Sequence, residues 1–331
     1  MDPLALPPTD RVLDVVIDTD PMNEVDDQFA VAWALLRPDR LRVRALLAAP
    51  WQSDEKTYSQ TDPVVDRARH AARVRAAVTP AEGQQRAADE LRRMVALLDV
   101  DVPVHGGADR FLPDPGTPVA SDAVEALIEL AHEDREGPLY VLGIACATNL
   151  ASALLTDPTI ADRVQLVWTS AHPTWWPRPT ASYNLSLDLA ASRVLFDSGA
   201  PLVYLPGYCV GEELRTTRAE LEAHVRGRGP VGDYLWRTWE SHWMTRSTEP
   251  GYSKVIWDLV NVAYVVDPGW LETDLVPSPV LGPDLRWEHP PGRHLVREAF
   301  DLDRDACFGD LFRLLRLQGR PGSGDAGEEG R

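Results

Sequence analysis

The alternation of apolar, β-branched runs with long helical segments is the feature that most constrains the fold of this chain. Residues 11–17 are apolar apart from Arg11 and Asp14 and predict a strand. Residues 26–37 then carry apolar side chains at helical spacing as far as Pro38. Parallel strands need crossovers of this length, whereas antiparallel strands can be joined by tight turns. The pattern predicts an α/β protein with an open, mainly parallel, doubly wound (Rossmann-like) sheet and a helical C-terminal part.

The same alternation continues along most of the chain. Further strands are predicted at residues 41–49, 102–105, 139–144, 164–169 and 201–205. Further helices are predicted at residues 84–98, 121–132, 149–155 and 187–198, and the segment after about residue 210 is interpreted as a helical cap. Residues 11–318 are expected to form one domain, with residues 1–10 and 319–331 as disordered ends.

The charge balance limits the choice of partners. The formal net charge is −18, and a surface this acidic repels phosphate backbones and anionic lipids. We therefore expect no nucleic-acid or membrane partner and a small-molecule substrate that is neutral or cationic. The sequence is compatible with a dimer or tetramer of this chain.

The cysteines and the amino terminus point to a reducing compartment. The three cysteines are Cys146, Cys209 and Cys307, and their wide spacing and odd number argue against a disulfide framework or a zinc site. The first ten residues lack a basic segment followed by an apolar one, and no run of 18 apolar residues occurs. These features predict a cytoplasmic protein.

A dense acidic run follows the first predicted strand. Six carboxylates lie between Asp14 and Asp27, with no lysine or arginine among them. Carboxylates gathered at the end of a buried strand repel one another, and a divalent cation relieves that repulsion. A donor set of hard oxygens favours Ca²⁺ or Mg²⁺ over zinc.

Three other interpretations of the acidic run were weighed. Asp26 and Asp27 could simply cap a helix, but capping does not explain acids at the end of the preceding strand. An EF-hand loop requires glycine and glutamate where the chain has Asn23 and Phe29. A dehalogenase-type Mg²⁺ phosphatase has threonine or valine where this chain has Met22, and it needs a later lysine, for which the chain offers only Lys56 and Lys254. This phosphatase stays as an alternative.

Five sequence blocks together resemble one family. The block from Asp18 to Asp27 reads Asp-Thr-Asp-Pro, then an inserted Asn-Glu pair, then Asp-Asp before a helix. This block resembles the inosine–uridine nucleoside hydrolases, more closely a branch with the Asn-Glu insertion. The other blocks follow in the expected order at residues 48–51, 140–151, 183–191 and 254–260, so that the resemblance covers roughly residues 12–270.

The resemblance implies a Ca²⁺-dependent hydrolase of the N-glycosidic bond in ribonucleosides. Asp20 would accept the proton of the attacking water, and direct attack by that water would invert the anomeric carbon. The implied ligands of the ion are Asp20, both carboxylate oxygens of Asp27, Asp258 and the backbone carbonyl of Ile144, or of Leu142 if the alignment shifts. Asp26 would accept a hydrogen bond from the ribose 2′-hydroxyl, Asn184 would hold the ribose, and Asn23 and Glu24 would also contact substrate.

Departures from the family pattern concern the base. Trp257 stands where better-known members have a histidine that assists the leaving group, and Ser182 replaces a glutamate. Pyrimidines leave poorly without an acid, so a purine or modified base is predicted. The rings of His172, Trp175 and Trp176 are expected to lie near Trp257 and to stack on the base of the substrate. Hydrolysis of another N-ribosylated metabolite and a catalytically silent ribose-binding protein are the remaining alternatives.

Overall fold

The computed structural model describes residues 2–53, 77–242, 245 and 251–319. Most of the polar stretch 51–83 and the carboxyl-terminal segment predicted to be disordered lie outside the described residues.

The centre of the fold is an eight-stranded sheet in the order β3-β2-β1-β4-β5-β6-β12-β9. All neighbouring strands in it are parallel except β9, which runs antiparallel to β12 at one edge. Two short ribbons, β7–β8 and β10–β11, lie outside it. The strands are β1 (Leu13–Thr19), β2 (Leu41–Ala48), β3 (Val104–Gly106), β4 (Leu139–Gly143), β5 (Val164–Ser170), β6 (Leu202–Pro206), β7 (Arg215–Thr217), β8 (Ser253–Val255), β9 (Leu271–Pro277), β10 (Val280–Leu281), β11 (Trp287–Glu288) and β12 (Leu295–Leu302).

Helices cover both faces of the sheet. Val15 and Ile17 of β1 belong to one apolar cluster with α1, α2, α8, α9 and α10, whereas Val16 belongs to a second cluster with α3, α4 and α6. Burial of both faces explains why the strands are apolar runs rather than alternating ones. The helices are α1 (Asp26–Leu35), α2 (Pro80–Leu98), α3 (Asp122–His132), α4 (Thr148–Thr156), α5 (Tyr183–Leu187), α6 (Leu189–Asp197), α7 (Arg218–His224), α8 (Gly229–Ser241), α9 (Leu259–Val266) and α10 (Arg304–Gln318).

The predicted fold class is confirmed, with three local differences. The C-terminal part is not only helical, because β9 and β12 extend the sheet beyond β6. The helix predicted at 187–198 is observed as α6 and begins at Leu189, since the side chain of Asp188 caps it, and the short helix α5 before it was not predicted. The amino-terminal residues pack on the sheet instead of being free: Gln165 Nε2 donates to the carbonyls of Pro3 and Ala5 at 2.9 and 3.1 Å.

The order of the strands creates a switch point beside β1. The chain proceeds from β1 outward through β2 and β3, and then returns to place β4 on the other side of β1. Loops that leave the carboxyl ends of β1 and β4 diverge there, which is where open α/β sheets bind ligands. The acidic run follows β1, so the topology delivers it to this crevice.

No helix within the described ranges is both long and apolar enough to cross a lipid bilayer.

Candidate active site

At the carboxyl end of β1, the side chain of Asn149 holds the buried Asp18 in place. Asn149, at the start of α4, donates from Nδ2 to Asp18 Oδ1 at 2.7 Å and accepts the Ala108 N–H through its own Oδ1 at 2.9 Å. Asp18 Oδ2 is buried and has no hydrogen-bond partner among the residues that the structure describes. Asn149 thus ties the end of β1 to the loop that follows β3.

Hydrogen bonds to the carboxylates of Asp20 and Asp27 stabilise the turn between β1 and α1. Thr19 Oγ1 and the Asp20 N–H both donate to Asp27 Oδ1, at 2.6 and 3.0 Å. Asn23 Nδ2 donates to Asp20 Oδ2 at 3.1 Å. Both bonds to Asp27 converge on one oxygen, and both hold the loop so that Asp20 and Asp27 face the same crevice.

Three buried carboxylates converge at the ends of two helices. Asp26 and Asp27 are the first residues of α1, and Asp258 is the N-cap of α9. One carboxylate oxygen of each lies within 4.8 Å of the others, and all three residues are buried. The partial positive charge of a helix N-terminus favours carboxylates, but two such ends do not balance three negative charges.

Burial and mutual repulsion alter the acidity of the cluster. Loss of hydration, followed by the charge of Asp26, raises the pKa of Asp27 to about 8. Burial raises the pKa of Asp26 to about 6, against the opposing charge of Lys254. Burial and the neighbouring acids raise the pKa of both Asp20 and Asp258 well above the usual range. The negative charge of these four carboxylates is therefore not fully balanced by positive charge nearby.

The cluster fits a hard divalent cation. All its side-chain donors are carboxylate oxygens, which Ca²⁺ and Mg²⁺ prefer, and an ion would supply the charge that the buried acids lack. The three carboxylates that lie closest together are those of Asp26, Asp27 and Asp258. The family resemblance instead names Asp20 together with Asp27 and Asp258 as ligands. Asp20 lies beside the trio, and its charge acts on Asp258.

These pKa directions predict how the metal-free protein responds to pH. The folded protein holds protons on Asp18 and Asp27 up to about pH 7 and about pH 8, whereas the unfolded chain releases them near pH 4. The folded state therefore binds more protons in this window, and the free energy of unfolding should fall as the pH rises through it. Thermal unfolding in chelator at about pH 5 and about pH 8 measures this effect.

Two controls isolate the cause. The Asp27→Asn variant should lose part of the pH dependence, and saturating Ca²⁺ should restore stability most at the higher pH, since the ion replaces the protons. A chelated parent protein that becomes more stable as the pH rises through this window would contradict the assignment.

The loop after β4 reaches the same crevice. Ile144 directly follows β4, and its N–H donates to the Asp18 carbonyl at 2.9 Å. Its own carbonyl accepts a hydrogen bond from Asn184 Nδ2 at 3.3 Å. Asn184 lies in α5, where Ser182 caps the helix. The structure therefore brings together Ile144 and Asn184, two residues that the family resemblance assigns to the site.

Aromatic rings form a row that ends next to the carboxylates. His172 is stacked between Trp176 and Tyr208, with ring centroids 4.5 and 4.3 Å away. Tyr208 in turn meets Trp257 edge-to-face at 5.5 Å, and Trp257 immediately precedes Asp258. Trp175 lies at the outer end of the row, 57% exposed.

Buried contacts anchor this row of rings. The carboxylate of Glu298 on β12 accepts hydrogen bonds from both the N–H and the hydroxyl of Thr174, each at 2.6 Å. Tyr204 and Trp287 donate to the His172 carbonyl at 2.8 and 3.3 Å. Within the described part of the chain, His172 Nδ1 is buried without a hydrogen-bond partner, and burial lowers the pKa of this imidazole. His172 is thus a neutral ring on a rigid support at neutral pH.

The structure also identifies residues that the sequence analysis did not. Tyr208, which links His172 to Trp257, could have been found because it follows the carboxyl end of β6. Lys254 was weighed only as the lysine of a phosphatase, yet its ammonium pairs with Glu24. Glu24 and Asn23, expected to contact substrate, bind Lys254 and Asp20 respectively.

Comparison with protein families gives a match over most of the chain. The model described as inosine-uridine preferring nucleoside hydrolase matches residues 15–306. The pyrimidine-specific ribonucleoside hydrolase RihA of Salmonella typhimurium is 27% identical over 237 residues, which are 63% of this chain and 65% of the relative. RihA of Enterobacter sp. (strain 638) is 29% identical over 184 residues, which are 47% of this chain and 58% of that protein. The chain thus spans somewhat less than two thirds of these curated relatives.

Solved structures share the fold. A plant nucleoside hydrolase superposes with a TM-score of 0.69 at 20% identity, over 92% of this chain and 99% of its own. A purine-preferring ribonucleoside hydrolase from Gardnerella vaginalis superposes with a TM-score of 0.68 at 18% identity and the same coverage. At these identities the likeness shows the fold alone. Because the family match extends over residues 15–306 of the 331-residue chain, this protein belongs to the inosine-uridine preferring nucleoside hydrolase family.

Proposed function

We propose that this chain is a Ca²⁺-dependent N-ribohydrolase that cleaves the bond between ribose and the base of a ribonucleoside. The observation that carries the proposal is the buried trio of Asp26, Asp27 and Asp258 beside Asp20. Family membership supports the same reaction. It also replaces the phosphatase alternative, whose candidate lysine, Lys254, is engaged with Glu24.

The cation would be held by Asp20, Asp27, Asp258 and one backbone carbonyl. Bound there, a divalent ion supplies Lewis acidity that makes a water molecule easier to deprotonate. For the carbonyl we propose Ile144, because it follows the last residue of β4 and is turned toward Asn184. Leu142 lies within β4, paired with Ile17 on one side and Val167 on the other, so its backbone belongs to the sheet.

The remaining roles follow from chemistry that these side chains can perform. Asp20 accepts the proton of the attacking water, while the nearby carboxylates stabilise positive charge as it develops on the ribosyl ring. Asp26 accepts a hydrogen bond from the 2′-hydroxyl, and Asn184 binds the ribose. A single attack by water on the face opposite the base inverts the anomeric carbon.

We propose a purine, or another base that leaves easily, as the preferred leaving group. Trp257, and not a histidine, directly precedes Asp258 in the chain, and its ring meets that of Tyr208. A π face favours a protonated, cationic base. His172, Trp175 and Trp176 would extend the stacking surface outward. The relatives differ in the base that their names give, since RihA is named pyrimidine-specific and the Gardnerella enzyme purine-preferring.

A nucleoside panel tests this proposal. We expect kcat/KM for inosine, adenosine and guanosine to exceed that for uridine and cytidine, with p-nitrophenyl riboside cleaved as well because its leaving group needs no acid. The Trp257→His variant should gain activity on uridine if a missing acid limits pyrimidine cleavage.

Three outcomes of the panel would redirect the proposal. Uridine as the best natural substrate would contradict the leaving-group argument. Release of ribose only from other N-ribosylated compounds would favour a different metabolite as substrate. Saturable nucleoside binding without release of ribose from any compound, with calcium bound, would identify a ribose-binding protein.

A further inference from the structure

A partly buried ion pair links two segments that carry residues of the proposed metal site. Lys254 Nζ contacts the carboxylate of Glu24 and donates to the Val255 carbonyl at 2.9 Å. The lysine side chain is 9% exposed and that of Glu24 is 23% exposed. Burying an ammonium costs free energy that only good partners return, so this lysine is held in one place.

The pair joins two halves of the site that are 230 residues apart in the chain. Glu24 belongs to the Asn-Glu insertion two residues before Asp26, and Lys254 lies in β8, four residues before Asp258. The Trp257 backbone also interacts favourably with the Asp26 carboxylate, which gives the same two segments a second contact. Because Glu24 is paired with Lys254, its carboxylate acts on the site by holding the neighbouring residues in position.

The charge of Lys254 acts beyond its partner. The ammonium of Lys254 attracts the Asp26 carboxylate, whereas the carboxylate of Glu24 repels it. The α1 segment that carries Asp26 and Asp27 and the segment that carries Trp257 and Asp258 are therefore linked by geometry and by charge. Such outer contacts orient the groups that bind a metal or a substrate.

We propose that Glu24 and Lys254 are positioning residues that fix the start of α1 against the Trp257–Asp258 segment. They thereby set the affinity for calcium and the preference for ribonucleosides over 2′-deoxyribonucleosides. This inference rests on the proposed function for the role of Asp26 toward the 2′-hydroxyl.

The test uses four variants of the full chain: Lys254→Met, Lys254→Arg, Glu24→Gln and the double variant Glu24→Gln/Lys254→Met. Calcium affinity is measured by calorimetry on protein stripped with chelator. The second readout is the ratio of kcat/KM for inosine to that for 2′-deoxyinosine, or uridine to 2′-deoxyuridine if the panel selects pyrimidines.

Lys254→Met should weaken calcium binding by about 10–100-fold, the usual loss when an outer contact of a metal site is removed. Lys254→Arg, which keeps the charge, should recover most of that loss. In Glu24→Gln the lysine is left with Asp26 as its nearest acid, so the ribose preference should fall although the protein stays folded. The double variant should be no worse than Lys254→Met alone, because the two residues act as a unit.

A matched control removes a second ion pair, which lies past the far end of α1. Arg37, just beyond the end of α1, binds Asp310 at 2.8 Å, with side chains 13% and 9% exposed. Arg37→Met should lower thermal stability and leave calcium affinity and the ribose preference unchanged.

The inference fails if folded Lys254→Met and Glu24→Gln match Arg37→Met in both readouts. If Lys254→Met does not fold, the comparison of Glu24→Gln with Arg37→Met in calcium affinity and ribose preference decides the test. A parent protein that binds no calcium and cleaves no nucleoside would instead refute the proposed function, so the two failures are distinguishable.

Discussion

We expect Asp20→Ala to lower kcat by at least about 10²–10⁴-fold, the usual cost of losing a general base. The loss should be larger if Asp20 also holds the cation. Asp20→Asn keeps the size of the side chain and should be equally impaired, because an amide does not accept the proton. Steady-state release of ribose from the best nucleoside of the panel measures the effect.

The reason for the prediction is the position of Asp20. It is 1% exposed, and Asn23 donates a hydrogen bond to its carboxylate, so the group is held in place before substrate arrives. Removal of a buried, poorly compensated carboxylate should not destabilise the metal-free protein. The melting temperature in chelator therefore separates a catalytic defect from a folding defect.

A matched control comes from the same strand. Asp14 on β1 is a partly buried acid paired with Arg42 and Arg44, at 3.3 and 3.4 Å, away from the crevice. Asp14→Asn should retain the activity of the parent. If Asp20→Ala kept about a tenth of the parent kcat, a loss far smaller than that of a general base, the assigned role would be wrong.

Removal of the metal should abolish activity, and Ca²⁺ should restore it. Chelation leaves Asp26, Asp27 and Asp258 without the charge that offsets their repulsion. Asp258→Asn and Asp27→Asn should each weaken calcium binding by more than about 10–100-fold, the loss that follows removal of an outer contact. Metal content by elemental analysis, with activity during titration of Ca²⁺, checks both statements.

Two results would contradict the metal assignment. Full activity in protein whose metal content is negligible after chelation would show that the carboxylates act without an ion. Restoration by zinc at lower concentration than by calcium would contradict the hard-oxygen argument, because zinc favours nitrogen and sulfur ligands. Asp14→Asn, outside the crevice, should bind calcium like the parent.

Much of the fold could be predicted because burial on both faces makes the inner strands uniformly apolar. The strands β1, β2, β4, β5 and β6 coincide closely with predicted runs, and α1 begins at Asp26 as expected. The strands β9 and β12 were missed because charged residues interrupt both of them. In the edge strand β9 these are the exposed Glu272 and Asp274, and in β12 they are Arg297, Glu298 and Asp301, so neither sequence has the apolar signal of a central strand.

For the site, the sequence by itself determined the chemistry of the donors and the tertiary structure decided their grouping. The run from Asp18 to Asp27 after an apolar strand already indicated a hard cation, because local repulsion depends on composition and spacing alone. No local pattern could pair Glu24 with Lys254, stack His172 between Trp176 and Tyr208, or place Asp258 against α1. Those contacts join segments far apart in the chain, and only packing of the crossovers around the sheet brings them together.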